Sequence, residues 1–283
     1  MRQSVAFITV SKGRLHHIRQ TLPLLAAQAP DELVVVDYGC PEGTGDWVEA
    51  NIPSAKVVRV TDDPDFCLPR ARNLGAAATQ SPWLCFIDAD VIAQPGFVDW
   101  LRDNVHPACF YRAARVDGER DLETWGTFAC SRIAFDRIKG FDETFRGWGG
   151  EDADLYRRLT FIGRAEVSYP ARFVAPIRHA DDERTRFHPV KSRELQMIIN
   201  QAYSLAKYQM MVAGEMRQQP PAHSRAKLMR IVTDTLVAWD RDGRRVPPHF
   251  NFGSKVLGWM PEPYGLSFKL DVRADLLRNP SAP

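Results

Sequence analysis

The first third of the chain alternates short apolar runs, rich in β-branched residues, with segments of helical pattern. The apolar runs are residues 5–10, 33–37, 56–60 and 83–88, and the clearest helical patterns lie at 15–27 and 70–79. This alternation is typical of strand-helix-strand units, in which a largely parallel sheet is buried on both faces. Ligands of such sheets collect at the carboxyl ends of the strands. The sequence therefore predicts an α/β fold whose functional residues follow its strands.

Polar residues do follow each of these runs. They are Ser11-Lys12-Gly13-Arg14 after the first, Asp37-Tyr38-Gly39 at the end of the second, Thr61-Asp62-Asp63 after the third and Asp88-Ala89-Asp90 at the end of the fourth. Because the carboxyl ends of parallel strands meet at one edge of a sheet, a single cleft can gather all four groups.

The pattern changes twice further along the chain. Beyond Pro95 it predicts a helix over 96–104, strands near 109–115 and 127–131, a helix that begins near Glu151, and a strand around 166–169. From Pro189 it becomes helical, over 194–212 and 224–239, with a break at 218–221. The last stretch, 241–283, shows no period, and we expect it to wrap the main domain.

Composition excludes several classes of protein. A formal charge of +2, from 37 basic and 35 acidic residues, does not give the one-signed field of a nucleic-acid binder. The 5 cysteines form no C-x-x-C pair, which favours a reducing compartment. The apolar run at 5–10 is too short for a signal peptide, and no stretch approaches the ~18 apolar residues that span a bilayer. These features predict a soluble, cytoplasmic protein.

Two adjacent carboxylates stand behind a Trp-Gly-Gly sequence at the predicted start of a helix. Gly149 and Gly150 permit backbone angles that other residues avoid, so that Trp148 could fold over a ligand. Glu151 and Asp152 follow at once, on a helix anchored by apolar residues at helical spacing. The pattern predicts either a catalytic base beneath a mobile lid or two acids that only offset the helix dipole.

Asp88 and Asp90 are two residues apart after an apolar run. On a strand they would point the same way and offer two hard oxygen donors to a divalent cation, although such residues also cap turns. His179 is the best third ligand in the chain, since an imidazole favours Mn²⁺ over Mg²⁺. A histidine in so charged a loop could equally be a surface residue.

Basic residues near the strand ends could cradle an anion. Pro69 suits a first helical position, which would aim free N–H groups and Arg70 into the cleft. Lys12, Arg14, Arg70 and Arg72 could also be solvent-facing residues at helix starts. Asp37, at the end of its strand, could accept a hydrogen bond from a pyrimidine base or could cap a turn.

With these motifs the sequence resembles the GT-A fold, family 2-like nucleotide-sugar glycosyltransferases that have a galactosyltransferase-type C-terminal half. The resemblance covers most of residues 1–190 and is strongest towards β-1,4-galactosyltransferases and bacterial chondroitin-type polymerases. The motifs that carry it are Gly140-Phe141-Asp142, Trp148-Gly149-Gly150-Glu151-Asp152, Arg158-Leu159, Asp88-Ala89-Asp90, Ile177-Arg178-His179, Ser11-Lys12-Gly13-Arg14 and Arg70-Ala71.

The resemblance implies a role for each candidate residue. Asp152 would be the catalytic base, and the acceptor would contact Trp148, Gly149, Gly150 and Glu151. Asp90, His179 and Asp88 would hold Mn²⁺ or Mg²⁺. The nucleotide would contact Val10, Lys12, Arg14, Asp37, Arg70 and Asp88, the last of which would bridge ribose and metal.

It also implies an architecture and marks one departure from the family. We expect a mixed α/β sheet flanked by helices over 1–189, with a nucleotide-sugar half at 1–94 and an acceptor half at 95–189, and a helical appendage over 190–283. Animal members have a methionine metal ligand where Pro176 stands, so water or another group must fill that position. Their membrane anchor and disulfides have no counterpart in this sequence, which favours a bacterial-type cytoplasmic enzyme.

The expected function is inverting, metal-dependent transfer of a sugar from a nucleotide diphosphate sugar, most simply a UDP-sugar. The acceptor would be a hydroxyl of a glycan or of a lipid-linked glycan at the inner membrane face. One rival is a nucleotide-sugar or glycan-binding protein without turnover. Another is a haloacid-dehalogenase-like phosphatase, because Asp88-Ala89-Asp90-Val91-Ile92 also fits its aspartyl nucleophile motif.

Overall fold

A computed structural model describes residues 2–179, 186–188, 190–213, 218–244, 248–253 and 265–269. The chain divides into two compact units. The first unit comprises Met1–Glu143 and Asp152–Phe187, and the second comprises Thr144–Glu151 and His188–Pro283.

The first unit contains a mixed sheet with helices between its strands. Its strands are β1 (Val5–Ser11), β2 (Glu32–Asp37), β3 (Ala55–Arg59), β4 (Trp83–Phe86), β5 (Val91–Ala93), β6 (Cys109–Ala113), β7 (Phe128–Ser131), β8 (Ala165–Tyr169) and β9 (Val174–Pro176). Its helices are α1 (Leu15–Ala26), α2 (Thr44–Asn51), α3 (Leu68–Ala77), α4 (Phe97–Asn104) and α5 (Arg132–Arg137), and α6 (Glu151–Phe161) follows.

The strand order of the main sheet is β3-β2-β1-β4-β7-β6-β8. Strands β1 to β4 run parallel, β7 is antiparallel to both β4 and β6, and β8 is parallel to β6. The predicted mixed α/β sheet is therefore confirmed. In the register, Ser11 pairs with Asp37 and Asp37 with Arg59, so the loops after β1, β2 and β3 leave the sheet at one level.

Burial on both faces follows from the period of the strands. In β1, Val5 and Phe7 belong to one apolar cluster, whereas Ala6, Ile8 and Val10 belong to the other. Successive side chains of a strand point to opposite faces, so a run of apolar residues fills both layers at once. This is why the apolar runs of the sequence located the strands.

One prediction about the first unit needs correction, and several short elements, α2 among them, were not predicted. The fourth strand was expected to reach residue 88, but β4 ends at Phe86, and the Asp88–Asp90 segment is a turn in which the N–H of Val91 donates to the carbonyl oxygen of Asp88. Helix α2 was missed because it is short and buries only one large apolar side chain, Val48.

The second unit contains two long helices and a hairpin. Helix α7 (Arg193–Ala213) and helix α8 (Ala222–Arg241) share a core that includes Tyr203, Val232 and Leu236. Strands β10 (His249–Gly253) and β11 (Gly265–Lys269) pair antiparallel. Both helices were predicted and the hairpin was not, while the rest of the 241–283 stretch lies outside the described residues apart from 241–244 and 248. Among the helices the structure describes, none combines the length and apolar character needed to cross a bilayer.

Gly75 allows α3 to pack closely against Ile8 and Val36 of the sheet. A Cβ atom there would lie 2.4 Å from Ile8 Cγ2 and 3.1 Å from Val36 Cγ2. In an open helix Gly75→Ala would stabilise by about 1 kcal/mol, but overpacking costs about 1–3 kcal/mol. We expect Gly75→Ala to lower the free energy of unfolding in urea, and to do so less in an Ile8→Ala background. A gain in stability in the otherwise wild-type protein would contradict this packing.

Candidate functional site

The loops after β1, β2 and β3 bring the predicted nucleotide-binding residues Lys12 and Arg70 into one network. The Lys12 ammonium donates to the carbonyl oxygen of Pro64 at 2.9 Å and lies 5.6 Å from the centre of the Tyr38 ring. The Tyr38 hydroxyl donates to Asp63 at 2.7 Å, and Arg70 pairs with Asp62 at 2.7 Å. Burial, together with the hydrogen bond to Asp63, raises the pKa of Tyr38, so this hydroxyl stays protonated.

Asp37 caps a turn, which was one of the two roles open to it. Its Oδ1 accepts from the backbone N–H of Cys40 and its Oδ2 from that of Gly45, both at 2.7 Å. A Cβ atom on Gly45 would lie 2.8 Å from Asp37 Oδ2, so this close approach needs glycine. A contact with a nucleotide base stays a prediction. Val10 is buried in the core, and its contact with a nucleotide likewise stays a prediction.

Asp90 and His179 face each other beside Arg14. His179 Nε2 lies 2.6 Å from Asp90 Oδ2 and 3.4 Å from Arg14 Nη1. Burial acts to raise the pKa of Asp90, but the hydrogen bond from His179 and the charge of Arg14 outweigh it, so that the pKa falls below its usual value. The ring of His17 lies 5.2 Å from that of His179, and burial, with the neighbouring His16 and Arg14, lowers the pKa of His17 to about 4. Asp90 is therefore ionised and His17 neutral at pH 7.

A single buried arginine joins the Asp88–Asp90 turn to the start of α6. Arg72 Nη2 donates to Asp88 Oδ1 at 2.6 Å, and Arg72 Nη1 donates to Asp152 Oδ1 at 2.5 Å. The side chain of Arg72 is 3% exposed, that of Asp152 12% and that of Asp88 27%. Burial raises the pKa of Asp88 to about 6, and the Arg72 charge opposes that rise.

Gly126, which directly precedes Thr127 and β7, closes on this cluster. A Cβ atom there would lie 2.6 Å from Asp88 Oδ2, 2.7 Å from Arg72 Nη2 and 3.2 Å from Asp152 Oδ2. The absence of a side chain leaves room in front of the second oxygen of each carboxylate. These are the oxygens that Arg72 does not occupy.

The turn at Asp88–Asp90 changes how its two carboxylates are used. On a strand they would have pointed the same way, but in the turn Asp88 reaches Arg72 and Asp90 reaches His179. The strand geometry behind the expectation of two parallel oxygen donors was wrong, because side-chain alternation holds only while the strand continues and β4 ends at Phe86. A shared role of the two carboxylates at one cation stays a prediction.

The donor chemistry of the site fits a divalent cation. Asp90 and His179 converge to within hydrogen-bonding distance, and a carboxylate with an imidazole suits Mn²⁺. A cation close to Asp88 would also favour the ionised form of this partly buried carboxyl, whose pKa burial raises. No group of three His, Cys, Asp or Glu side chains within the described ranges forms a complete metal cage. Phosphate oxygens and water usually supply the remaining positions of such a cation.

The predicted acceptor residues, Trp148 to Glu151, belong to the second unit, whereas the predicted base, Asp152, belongs to the first. Helix α6 begins at Glu151, as predicted, so both acids lie in its first turn. Gly149 and Gly150 have φ angles of +83° and +94°, which only glycine adopts readily. Within the second unit, the Arg193 guanidinium lies 3.9 Å from the centre of the Trp148 ring. Asp152 belongs to the first unit, where its Arg72 pair gives it a role beyond offsetting the helix dipole.

Sequence reasoning treated Arg72 as a candidate for a solvent-facing residue, and its burial was missed. The spacing of the helix indicated this burial. Arg72 lies four residues after Leu68 and four before Ala76, which places it on the face by which α3 packs on the sheet. A charged residue at a buried helical position needs a partner, and two acids were available.

The chain is similar to known proteins over part of its length. Residues 106–180 match a family model described as the N-terminal domain of galactosyltransferase. β-1,4-Galactosyltransferase 1 of Bos taurus is 40% identical over 117 residues, which cover 37% of this chain and 28% of that protein. The validoxylamine A glucosyltransferase of Streptomyces hygroscopicus subsp. limoneus is 27% identical over 217 residues, 55% of this chain and 47% of that protein. The chain thus spans less than half the length of either relative.

The fold has counterparts among solved structures. The crystal structure of GalNAc-T7 with UDP, GalNAc and Mn²⁺ aligns with a TM-score of 0.57 at 12% identity, covering 87% of this chain and 59% of that chain. The predicted resemblance to GT-A glycosyltransferases with a galactosyltransferase-type second half is confirmed by these similarities.

The ion pairs of Arg72 with Asp88 and Asp152, which we call the Arg72 bridge, should contribute to stability. Arg72→Met would leave two poorly hydrated carboxylates without their partner, and breaking a buried ion pair costs about 3–5 kcal/mol. The matched control is Arg59→Met, which removes pairs with Asp46 and Glu49, whose side chains are 84% and 54% exposed, and pairs this exposed contribute little to stability. Urea unfolding at pH 7 measures both. Equal losses for the two variants would contradict the bridge.

Proposed function

From a GT-A fold in which residues 106–180 match a galactosyltransferase domain, we propose that this protein is an inverting, metal-dependent glycosyltransferase. It moves a sugar from a nucleotide diphosphate sugar to a hydroxyl group of a glycan or glycolipid. The observation that carries the proposal is the cluster in which Arg72 links Asp88, in the predicted nucleotide and metal motif, to Asp152, the predicted base. Donor and acceptor chemistry meet at such a cluster.

Asp152 is the proton acceptor in this proposal. The acceptor oxygen attacks the anomeric carbon and gives its proton to Asp152, while the bond from that carbon to the phosphate oxygen breaks and its electron pair leaves with the diphosphate. Arg72 occupies Oδ1 of Asp152, which directs the proton to Oδ2. Attack opposite the leaving group inverts the configuration of the sugar.

Positive charge on the donor side supports departure of the diphosphate. Lys12 and Arg14 lie in the loop between β1 and α1, and Arg14 stands beside the Asp90–His179 pair. Preorganised charge of this kind stabilises the negative charge that develops in the transition state. A bound Mn²⁺ or Mg²⁺ ion, held by Asp90 and His179 with Asp88 close by, would act as a Lewis acid on the same phosphates.

UDP is the nucleotide we propose, because the resemblance implies it and GalNAc-T7, which shares the fold, was crystallised with UDP and Mn²⁺. The acceptor contacts we propose are Trp148, Gly149, Gly150 and Glu151. Incubation with a panel of nucleotide sugars and Mn²⁺, with slow donor hydrolysis as readout, identifies the donor. Donor binding without transfer to any acceptor would instead favour the non-catalytic alternative.

The base is tested by Asp152→Asn. Asparagine preserves the shape and the contact with Arg72 but cannot take a proton, and loss of a general base typically costs about 10²–10⁴-fold in rate. We expect that loss in kcat, with donor affinity unchanged by calorimetry. The control is Asp136→Asn on the exposed side of α5, which should transfer at the wild-type rate. Near-normal transfer by folded Asp152→Asn would refute the role.

The cation site is tested by His179→Ala and Asp90→Asn. Removing one protein ligand should weaken Mn²⁺ binding by about tenfold or more, because loss of even an outer-shell partner typically costs that much; the electron paramagnetic resonance signal of free Mn²⁺ measures it. The control is His106→Ala, because His106 is exposed and contacts neither residue. Equal Mn²⁺ affinity in His179→Ala and wild type would place the metal elsewhere.

A further inference from the structure

Within the second unit, α7 holds the glycine-rich segment that precedes α6. Asn200, in the middle of α7, is buried, and its Nδ2 donates to the carbonyl oxygen of Gly149 at 2.6 Å. The same amide lies 3.3 Å from the carbonyl oxygen of Trp148 and 3.4 Å from that of Arg146. One side-chain amide therefore gathers three main-chain carbonyls of a four-residue stretch.

A second amide fixes the orientation of the first. Gln196 lies one helical turn before Asn200, is also buried, and donates from Nε2 to Asn200 Oδ1 at 3.1 Å. Because the oxygen of Asn200 is engaged in this way, its NH₂ group is the end that faces the carbonyls. The pair functions as a clamp, which we name the Asn200 clamp, formed by Gln196 and Asn200.

The glycines of the segment fit closely against this clamp. A Cβ atom on Gly147 would lie 2.4 Å from Gln196 Cδ, and one on Gly150 would lie 2.9 Å from Asn200 Cβ. Both residues also have φ angles in the left-handed region, +78° and +94°. Glycine is therefore required here for close approach as well as for backbone conformation. The Arg193 guanidinium stacks on the Trp148 ring from the same helix.

We propose that Asn200 is a positioning residue for the acceptor. It fixes the main chain of residues 146–149 and so sets how Trp148 and Glu151 are presented. The inference rests on the proposed function, since these are the acceptor residues of that proposal. It assigns a task to α7, which lies outside the residues matched by the galactosyltransferase model.

Holding this segment in one conformation has an entropic cost. A stretch with three glycines among residues 147–150 has many accessible conformations, and ordering it costs more per residue than ordering other sequences. If the acceptor had to order the stretch when it binds, that cost would weaken its binding. The two N–H groups of Asn200, shared among three main-chain carbonyls, offset part of that cost when the protein folds, so the segment is held before the acceptor arrives.

The test uses Asn200→Asp and Asn200→Leu. Aspartate keeps the shape but offers carboxylate oxygens to the three carbonyls, and leucine keeps the volume without a donor. The matched controls are Gln201→Glu and Gln201→Leu, at the neighbouring exposed position of α7. Arg146 is exposed, so trypsin cleavage after it, followed by mass spectrometry, reports release of the segment without reference to activity.

We expect cleavage after Arg146 to accelerate about tenfold in both Asn200 variants. The acceptor KM should rise by a similar factor, as lost hydrogen bonds predict. Donor hydrolysis without acceptor, and Mn²⁺ affinity, should stay within about twofold of wild type, which global unfolding would not allow. The Gln201 variants should match wild type in every measurement.

Several outcomes overturn the inference. Unchanged trypsin cleavage would show that the clamp does not hold the segment, and faster cleavage with unchanged acceptor KM would show that holding it does not serve the acceptor. If the Asn200 variants fail to fold, Gly147→Ala perturbs the same contact from the other side and must give the same two changes. Absence of transfer by wild-type protein would contradict the proposed function and with it the acceptor role, while the cleavage rates would still decide whether the clamp exists.

Discussion

The site depends on the buried guanidinium group of Arg72. It lies between the carboxylates of Asp88 and Asp152, which are distant in sequence. Burying an arginine or an aspartate alone is costly, because neither can be hydrated in the core. Here the positive charge of Arg72 lies next to both negative charges. Its planar guanidinium donates to Asp88 with one nitrogen and to Asp152 with a second. A lysine could not make both contacts in this geometry, since it offers a single point charge. The bridge therefore ties the turn after β4 to the first turn of α6 in a way that few other residues could.

The bridge also imposes conditions on the surrounding fold. Arg72 must lie on the inward face of α3, so α3 must approach the sheet closely, and Gly75 on the same helix permits that approach to Ile8 and Val36. Gly126 must lack a side chain, because a Cβ atom there would overlap Asp88 and Arg72. β4 must stop at Phe86 so that Asp88 and Asp90 can turn towards different partners. The two glycines and the end of β4 are thus all required for the same arrangement of charged side chains.

Some parts of the fold and of the site could be predicted from the sequence. The strands were found because period-two burial on both faces leaves a continuous apolar run, as in β1. The glycine requirement at Gly149 and Gly150 was found because those positive φ angles are nearly exclusive to glycine. The hairpin of β10 and β11 was missed although its sequence alternates; in the register Phe250 pairs with Phe268 and Phe252 with Leu266. Short alternating strands carry less signal than the long helices before them.

The charges were harder to assign because their partners are set by tertiary structure. Asp37 ends β2 and Asp88 lies two residues after β4. The neighbouring sequence does not distinguish Asp37, which caps a turn, from Asp88, which pairs with an arginine. The long-range pairs Arg72–Asp152 and Asp90–His179 join residues 80 and 89 positions apart. Periodicity can place each residue on its own element, but the pairing depends on how the elements cross.

Glu151 and Asp152 are adjacent in the chain yet are fixed by different contacts. Asp152 packs with the first unit and is held by Arg72, whereas the segment ending at Glu151 packs with the second unit, where Asn200 holds its carbonyls. Proton transfer depends on the oxygen that Arg72 leaves open, and presentation of the acceptor depends on the conformation of the glycine-rich segment. Under the proposed function, the base and the acceptor segment are therefore held by different side chains, Arg72 for the base and Asn200 for the segment.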